Sequence, residues 1–481
     1  MSGTILVAGR WRTGARRTDV RDPANIDEIV GEADLGTETD AADAFAAAAE
    51  AAPRWRRTPA TERTAVLHRA AALLAERADD VARGIVREEG KILSDAAGEV
   101  QRAVETLRYF AGEALQPIGD VLPGVRPGAL TLARRLPLGP VLAVTPFNFP
   151  LLIPTWKIAA ALAFGNTVVW KPSQLTPLTA VRLAGVLEAA GLPAGVLNAV
   201  TGGGRDVGEA LVDHPALRAL TFTGSTPVGR LLERRLAGRG VRLQLEMGGK
   251  NVAVVLDDAP TAAAARAVVA GAMAATGQRC VSISRVVVSH RLLGELRDAI
   301  VAEVAGIRLG HGLDPQTTMG PLVSADAAAS VLAAVESARA TGARIVVGGE
   351  RPEDARLARG HFVAPTVLDN VDPASPIAQE EVFGPVLSLI GVADEAAGIE
   401  VANCTRYGLN AAVFTGDLER ALATVEAIEA GMVHVNAVTG VQPYIPFGGH
   451  KDSSSGPAEQ GKAAAEFFTE LQVVNLHPRC A

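Results

Sequence analysis

The sequence predicts an α/β protein of two large units, and three observations carry the prediction. From Gly139 onward, short β-rich runs alternate with helical stretches, the pattern of parallel strands joined by crossover helices. The chain has 481 residues, more than one hydrophobic core normally covers. Apolar residues make up 48% of it and charged residues 21%, which allows a sizeable core and excludes a disordered or fibrous chain.

The elements follow in order. Residues 39–110 are rich in Ala, Leu, Arg and Glu at helical spacing and read as a group of amphipathic scaffold helices, with breaks expected near Pro53 and Pro59. Residues 130–138, flanked by Pro127 and Pro137, read as an extended arm of the kind that often pairs with another subunit. Strands are expected at 141–144, 167–170, 196–200, 220–222 and 243–245, with helices at 178–190 and 206–212 between them. A second α/β series has strands near 252–256, 286–288, 345–347 and 411–414, so a domain boundary is placed near 248–250. No internal repeat or low-complexity tract interrupts this order.

A net charge of −7 gives no basic face, so no nucleic-acid partner is expected. The three cysteines, Cys280, Cys404 and Cys480, are an odd number without metal spacing, which points to a reducing compartment and no metal site. The first ten residues contain a short apolar run with no basic region before it, and no stretch approaches the length of a membrane span. A soluble cytoplasmic protein is expected.

Cys280 is the most informative residue. Alone, a cysteine is usually a small buried hydrophobe. Here it follows Thr276-Gly277-Gln278-Arg279 and precedes Val281-Ser282, a glycine turn with polar and cationic neighbours. A carboxylate, Glu246, lies upstream in Leu245-Glu246-Met247-Gly248-Gly249-Lys250. A thiolate nucleophile with a carboxylate base to help deprotonate it, and later to activate water, is a known covalent strategy.

Two glycine loops compete as phosphate sites. Gly202-Gly203-Gly204-Arg205-Asp206-Val207-Gly208 is one residue too long for a dinucleotide fingerprint and reads as a surface turn. In Phe222-Thr223-Gly224-Ser225-Thr226-Pro227-Val228-Gly229 a β run ends in Gly-Ser and a helix begins, with Thr226 as the expected N-cap and Pro227 at the first position, leaving amides for a phosphate. Lys171, in Val169-Trp170-Lys171-Pro172-Ser173, stands at the carboxyl end of another strand, where α/β sheets bind ligands.

Taken together, the motifs resemble those of the aldehyde dehydrogenase superfamily over nearly the whole chain. They occur in the expected order: Thr145-Pro146-Phe147-Asn148-Phe149-Pro150, Trp170-Lys171-Pro172-Ser173, Phe222-Thr223-Gly224-Ser225, Leu245-Glu246-Met247-Gly248-Gly249-Lys250, Gly277-Gln278-Arg279-Cys280, Glu380-Glu381-Val382-Phe383-Gly384-Pro385 and Pro446-Phe447-Gly448-Gly449. The resemblance implies a Rossmann-type cofactor domain over 1–120 and 138–248, a catalytic domain over 249–447, and an oligomerisation arm from 121–137 and 462–478. It implies a homodimer or homotetramer acting on a small-molecule aldehyde with NAD or NADP.

The resemblance also assigns residues. Cys280 attacks the aldehyde carbon, the Asn148 amide and the Cys280 N–H hold the oxyanion, Glu246 activates the hydrolytic water, and Lys157 and Glu459 belong to a proton relay. Lys171 meets the adenosine ribose, Ser225 the pyrophosphate, and Glu381 with Phe383 the nicotinamide end. Thr145, Pro146, Phe147, Ser173, Gln174, Thr223, Gly224 and Gly229 complete the cofactor-binding set. Phe149, Ile153, Trp156, Arg279, Val281 and Phe447 line the substrate entrance.

One departure concerns the cofactor: relatives that prefer NAD commonly carry Glu three positions after the lysine, and this chain has Gln174, so NADP should be tolerated. The run 447–461 is similar to 2-oxoglutarate semialdehyde dehydrogenases, whose substrate bears a distal carboxylate. Arg279 either faces such an anion or pairs with a structural carboxylate. A CoA-acylating relative would use the same cysteine but typically lacks a base at Glu246. Neutral aldehydes and a catalytically idle binding protein are the remaining alternatives.

Overall fold

The computed structural model describes residues 3–116, 119–124 and 126–477. Cys480, and positions 125 and 478 of the expected arm, lie outside the described residues.

An eight-stranded sheet runs in the order Arg10–Arg12, Ile5–Val7, Leu197–Ala199, Thr167–Lys171, Pro140–Val144, Ala219–Thr223, Arg242–Glu246, Ser454–Ser455. Its five inner strands are parallel and its edges antiparallel. Val141, Val168, Val169 and Leu220 are fully buried, as expected of a parallel sheet covered on both faces, where apolar runs replace alternation. Strand order reverses between Pro140–Val144 and Ala219–Thr223, and a crevice forms beyond the carboxyl ends at such a switch point.

A seven-stranded sheet has the order Arg344–Val347, Thr366–Asp369, Val386–Val392, Ile283–Ser289, Asn251–Val255, Asn410–Phe414, Met432–Val435. All its pairings are parallel except the first. Cys280 stands just before one of these strands and Glu246 ends a strand of the other sheet. The carboxyl ends of the first sheet therefore meet segments at the amino ends of the second.

Every predicted strand of the two series is present. The short apolar run near the N-terminus became the Ile5–Val7 strand, and the Arg16–Asp22 and Asn25–Leu35 hairpin was not foreseen, since its polar, half-exposed residues give no apolar period. The arm strand Leu130–Pro137 lies between Gly119–Pro123 and Thr469–Leu476.

Two local expectations are corrected. The helix Glu38–Arg57 runs through Pro53 and ends at Thr58. The proline removes one backbone donor, but Ala49, whose carbonyl loses that partner, is on the exposed face, and Trp55 beyond it is buried with its Nε1 donating to the Leu162 carbonyl at 3.3 Å. Burial of that last turn offsets the loss. At the second glycine loop the N-cap is Ser225, not Thr226, and no side chain caps the helix Thr226–Leu236.

Candidate active site

The loop leading to Cys280 begins with three successive left-handed residues, Ala275, Thr276 and Gly277, at φ 49°, 58° and 70°. Two non-glycine residues in this region store strain that the surrounding packing must hold. Gly277 has a second reason to be glycine, because a Cβ there would stand 2.2 Å from the Gly384 carbonyl oxygen. The loop carrying Cys280 and the loop carrying Glu381 and Phe383 are thereby in direct contact. Asn251 ties the exit, its Nδ2 donating to the carbonyls of Cys280 and Ser282 at 2.8 Å each.

Around Cys280 pack Val281, Leu409 and Phe447, with Met432 and Val441 at the rim. Its thiol pKa is pushed up to about 12, first by burial and then by Glu381 and Glu246, with Arg279 acting the other way. The sulfur makes no hydrogen bond to a carboxylate among the described residues. Instead, Glu246 Oε2 accepts from the Ser454 hydroxyl at 2.7 Å.

Glu246 is 2% exposed. Its pKa lies well above the ordinary carboxylate value, because burial and then repulsion from Glu459 outweigh the Ser454 hydrogen bond and Lys157. The parallel register pairs Thr221 with Gln244 and Thr223 with Glu246. Residues two apart on a strand share a face, so Gln244 and Glu246 look the same way. On that face Lys157 Nζ donates to Thr221 Oγ1 at 2.8 Å and to Glu459 Oε1, and Thr221 Oγ1 meets Gln244 Oε1 at 2.9 Å. Glu459 is held by Phe447, the two exchanging both backbone hydrogen bonds at 2.7 Å.

Asn148 is buried, and its Nδ2 gives one N–H to the Gln278 carbonyl at 2.8 Å. An amide nitrogen carries two donors, so one remains for an oxygen near Cys280. Trp156 lies against Phe447 with ring centroids 5.6 Å apart, and its buried Nε1 has no partner. Ile153 is buried beside it, whereas Phe149 is only partly covered, with Lys91 Nζ 4.2 Å from its ring centre.

Arg279 forms no ion pair or side-chain hydrogen bond among the described residues, and its Nε is buried without a partner. Its pKa is lowered by burial, with Asp95 and Cys280 opposing and Arg102 adding to the fall. Asp95 does not bridge to it; its Oδ2 accepts from the Ala275 N–H at 3.2 Å. The expected alternative of a structural carboxylate partner is therefore not what the structure shows.

The predicted cofactor residues gather at the switch point. Thr145 accepts from Trp170 Nε1 at 2.9 Å, and Phe147 meets Phe383 edge to face with centroids 5.9 Å apart. Pro146 lies half-buried between Thr145 and Phe147. Glu381 Oε1 accepts from the Gly249 N–H at 3.0 Å, and burial raises its pKa to about 7. Gly224 and Gly229 are sites of close approach, to the Phe222 ring and Met247. Ser225 is exposed at its helix start, and Thr223 Oγ1 is buried without a partner. Lys171 has no partner, and burial lowers its pKa to about 8. The glycine loop 202–208, read as a surface turn, winds into a helical turn over Gly204–Gly208, and Gly208 lies close to the Lys171 stem. Ser173 Oγ accepts from the Leu175 N–H, while Gln174 is exposed and lines a surface cleft with Leu35 and Val323. These residues suit a dinucleotide: an uncapped helix start for phosphate, an orphaned hydroxyl, and an unpaired lysine.

Sequence reasoning missed Ser454, Thr221 and Gln244. Thr221 and Gln244 could have been found from Glu246 by strand alternation. Ser454 sits in a serine-rich run that reads as a loop, so nothing local marked it. Among the described residues no group of three His, Cys, Asp or Glu is placed to hold a metal, and no helix is long and apolar enough to cross a membrane.

The aldehyde dehydrogenase family pattern matches residues 11–474. The chain is 41% identical over 476 residues to the alpha-ketoglutaric semialdehyde dehydrogenase of Bacillus subtilis, with 98% of each covered. It is 42% identical over 467 residues to the alpha-ketoglutarate semialdehyde dehydrogenase of Haloferax volcanii, with 96% of each covered. Among solved structures, betaine aldehyde dehydrogenase from Staphylococcus aureus in complex with NAD+ superposes with a TM-score of 0.96 at 32% identity, covering 99% of this chain and 94% of that one.

Proposed function

The chain belongs to the aldehyde dehydrogenase family and is an NAD(P)-dependent aldehyde dehydrogenase, and from that premise we propose that it oxidises an acidic semialdehyde through a Cys280 thioester hydrolysed with Glu246 as base. The observation that carries the mechanism is the pairing of a half-buried thiol in a strained loop with a buried carboxylate of raised pKa at the same crevice.

In this reading the Cys280 S–H bond breaks, its proton passing to solvent, the sulfur forms a bond to the aldehyde carbon, and the carbonyl oxygen becomes an oxyanion held by Asn148 Nδ2 and the Cys280 N–H. A nicotinamide cofactor, when bound, would supply the hydride acceptor that collapse of that intermediate to a thioester requires. Thr145, Lys171, Ser225, Glu381 and Phe383 would hold it, with Pro146, Phe147, Thr223, Gly224 and Gly229 shaping the cleft. Glu246 then takes a proton from water, the water oxygen attacks the acyl carbon, and the C–S bond breaks to release the acid and restore the thiol. Lys157 and Glu459, linked through Thr221, offer the proton a way out.

The substrate reading is supported by the two semialdehyde relatives and by Arg279, a cation beside the nucleophile with no carboxylate of its own. A substrate anion supplies that missing partner. Arg279→Ala is expected to raise KM for a short acidic semialdehyde about tenfold or more, since a hydrogen bond to a charged group contributes about 1.5–3 kcal/mol. KM for a neutral aliphatic aldehyde should stay within about twofold, because that substrate offers no charge to pair. Equal losses on both, or a wild-type preference for neutral aldehydes in the panel, would count against the acidic reading. Adding coenzyme A should not speed turnover.

Both NAD and NADP should serve. Gln174 carries no charge to repel a 2′-phosphate, and Gln174→Glu is expected to raise KM for NADP about tenfold while sparing NAD, like-charge contacts costing several kcal/mol. Turnover with NAD alone in the unmodified protein would overturn dual use. A homodimer or homotetramer is supported by the arm, where Val121, Leu122, Leu471 and Val473 are exposed. Free Cys280 and Cys404 suit a reducing cytoplasm.

A further inference from the structure

Beneath the Asn148 loop lies a group of charges that the mechanism does not use. Lys91 follows Gly90, the left-handed residue that ends the helix Ala78–Glu89, and its side chain is fully buried. Its Nζ donates to Glu99 Oε2 at 2.7 Å and to the Asn148 backbone carbonyl at 2.7 Å. Glu99, on the helix Leu93–Glu113, turns its other oxygen to the N–H groups of Leu151 and Leu152 at 2.9 and 3.0 Å. Those two amides open the helix Leu152–Ala163, which carries Ile153, Trp156 and Lys157.

The pair therefore grips the loop at both ends: the cation holds the carbonyl of Asn148, and the carboxylate holds the amides three and four residues later. Between the grips, Phe149 lies under the Lys91 ammonium. Asn148 itself has one further tie, its Nδ2 on the Gln278 carbonyl of the nucleophile loop. A buried ion pair is a weak source of stability, because the desolvation of two charges offsets their attraction. Its placement on the backbone of a catalytic loop gives it another use. An oxyanion donor must stand at the site where charge develops before the reaction begins, and two fixed backbone anchors supply that constraint.

We propose that Lys91 and Glu99 are positioning residues that hold the Asn148 amide at the oxyanion site. The burial of Lys91 works against its charge, but Glu89 and Glu99 outweigh this and keep it an ammonium. The inference rests on the reading of Asn148 as oxyanion donor.

The test is a double-mutant cycle read in single-turnover hydride formation. Lys91→Met alone would leave Glu89 and Glu99 buried without their cation, so Lys91→Met and Glu99→Gln are combined, with Glu89→Gln alone as a control for the other carboxylate and with thermal melting and cofactor KM followed alongside. The paired variant is expected to slow hydride formation about tenfold, the scale of effect of a slightly misplaced catalytic group, with cofactor KM unchanged. In an Asn148→Ala background the same two substitutions should change the rate less than about twofold, since groups acting as one unit are not additive. Glu99→Gln alone keeps an acceptor for both amides and, as the variant least prone to unfold, should show the same pattern with a smaller loss. Equal slowing in both backgrounds, or no slowing in either, overturns the positioning role. If Asn148→Ala by itself leaves the rate unchanged, it is the oxyanion assignment that fails.

Discussion

Cys280→Ala is expected to abolish aldehyde-dependent formation of NAD(P)H, with a fall in kcat on the order of 10⁴ or more, the scale found when a covalent nucleophile is removed and only binding and oxyanion contacts remain. The structure gives the reason for so large an effect. Cys280 and Cys404 are the free cysteines among the described residues, and Cys404 is exposed and near Gln379 and Arg285 instead. Among the described residues no second thiol is at hand to substitute. Ala removes only one sulfur from a loop whose backbone is fixed by Asn251 and by the Gly277 to Gly384 contact, so melting temperature and cofactor binding should be retained. Turnover within tenfold of the unmodified enzyme would exclude Cys280 as the acyl carrier.

Glu246→Gln should separate the two halves of the reaction. Hydride formation needs attack by Cys280, whereas release of the acid needs activated water. With the base gone, the first turnover should appear as a burst of NAD(P)H followed by a steady rate lower by about 10²–10⁴, the usual contribution of a general base. Mass spectrometry of the quenched protein should find the acyl group on Cys280. The pH dependence follows from sign. The folded pKa of Glu246 is raised well above the ordinary carboxylate value by burial and by Glu459, so the carboxylate proposed as base fills only as pH rises beyond the usual carboxylate range, and kcat of the unmodified enzyme should climb with pH where deacylation limits. In the Gln variant that climb in kcat should vanish. The dependence of kcat/KM should persist, because the Cys280 thiol is raised as well. A Gln variant with the full pH profile and no burst would remove Glu246 from the mechanism.

Much of this was legible in the sequence because it depends on neighbours along the chain. The parallel strands announce themselves as short apolar runs between helices, and the nucleophile loop is marked by Gly277, where only glycine escapes the Gly384 carbonyl. The Cys280 and Glu246 segments each carry their signal locally. What was not legible depends on contacts between distant segments. Ser454 reaches Glu246 through an antiparallel pairing 208 residues away, and Lys91 meets Asn148 from another helix pair. The orientation of Arg279 is of the same kind, since the position of Asp95, which could have bridged to it, is set by its bond to the Ala275 N–H. Pro53 misled for the opposite reason: a strong local signal was overruled by the burial of Trp55 two residues later.

The Ser454–Ser455 strand has a consequence for how the enzyme comes into being. It forms the far edge of the first sheet and carries the hydroxyl that steadies Glu246. At a ribosomal pace of about 5–20 residues per second, some 208 residues occupy roughly 10–40 seconds between the emergence of the carboxylate and that of its partner. Leu130–Pro137 waits longer still for Thr469–Leu476. Through that interval the nascent chain presents two unpaired strand edges, each a template for association with another chain. A nascent chain stalled short of Ser454 would thus hold its nucleophile and most of its core, lack a finished base, and be the form most in need of a chaperone.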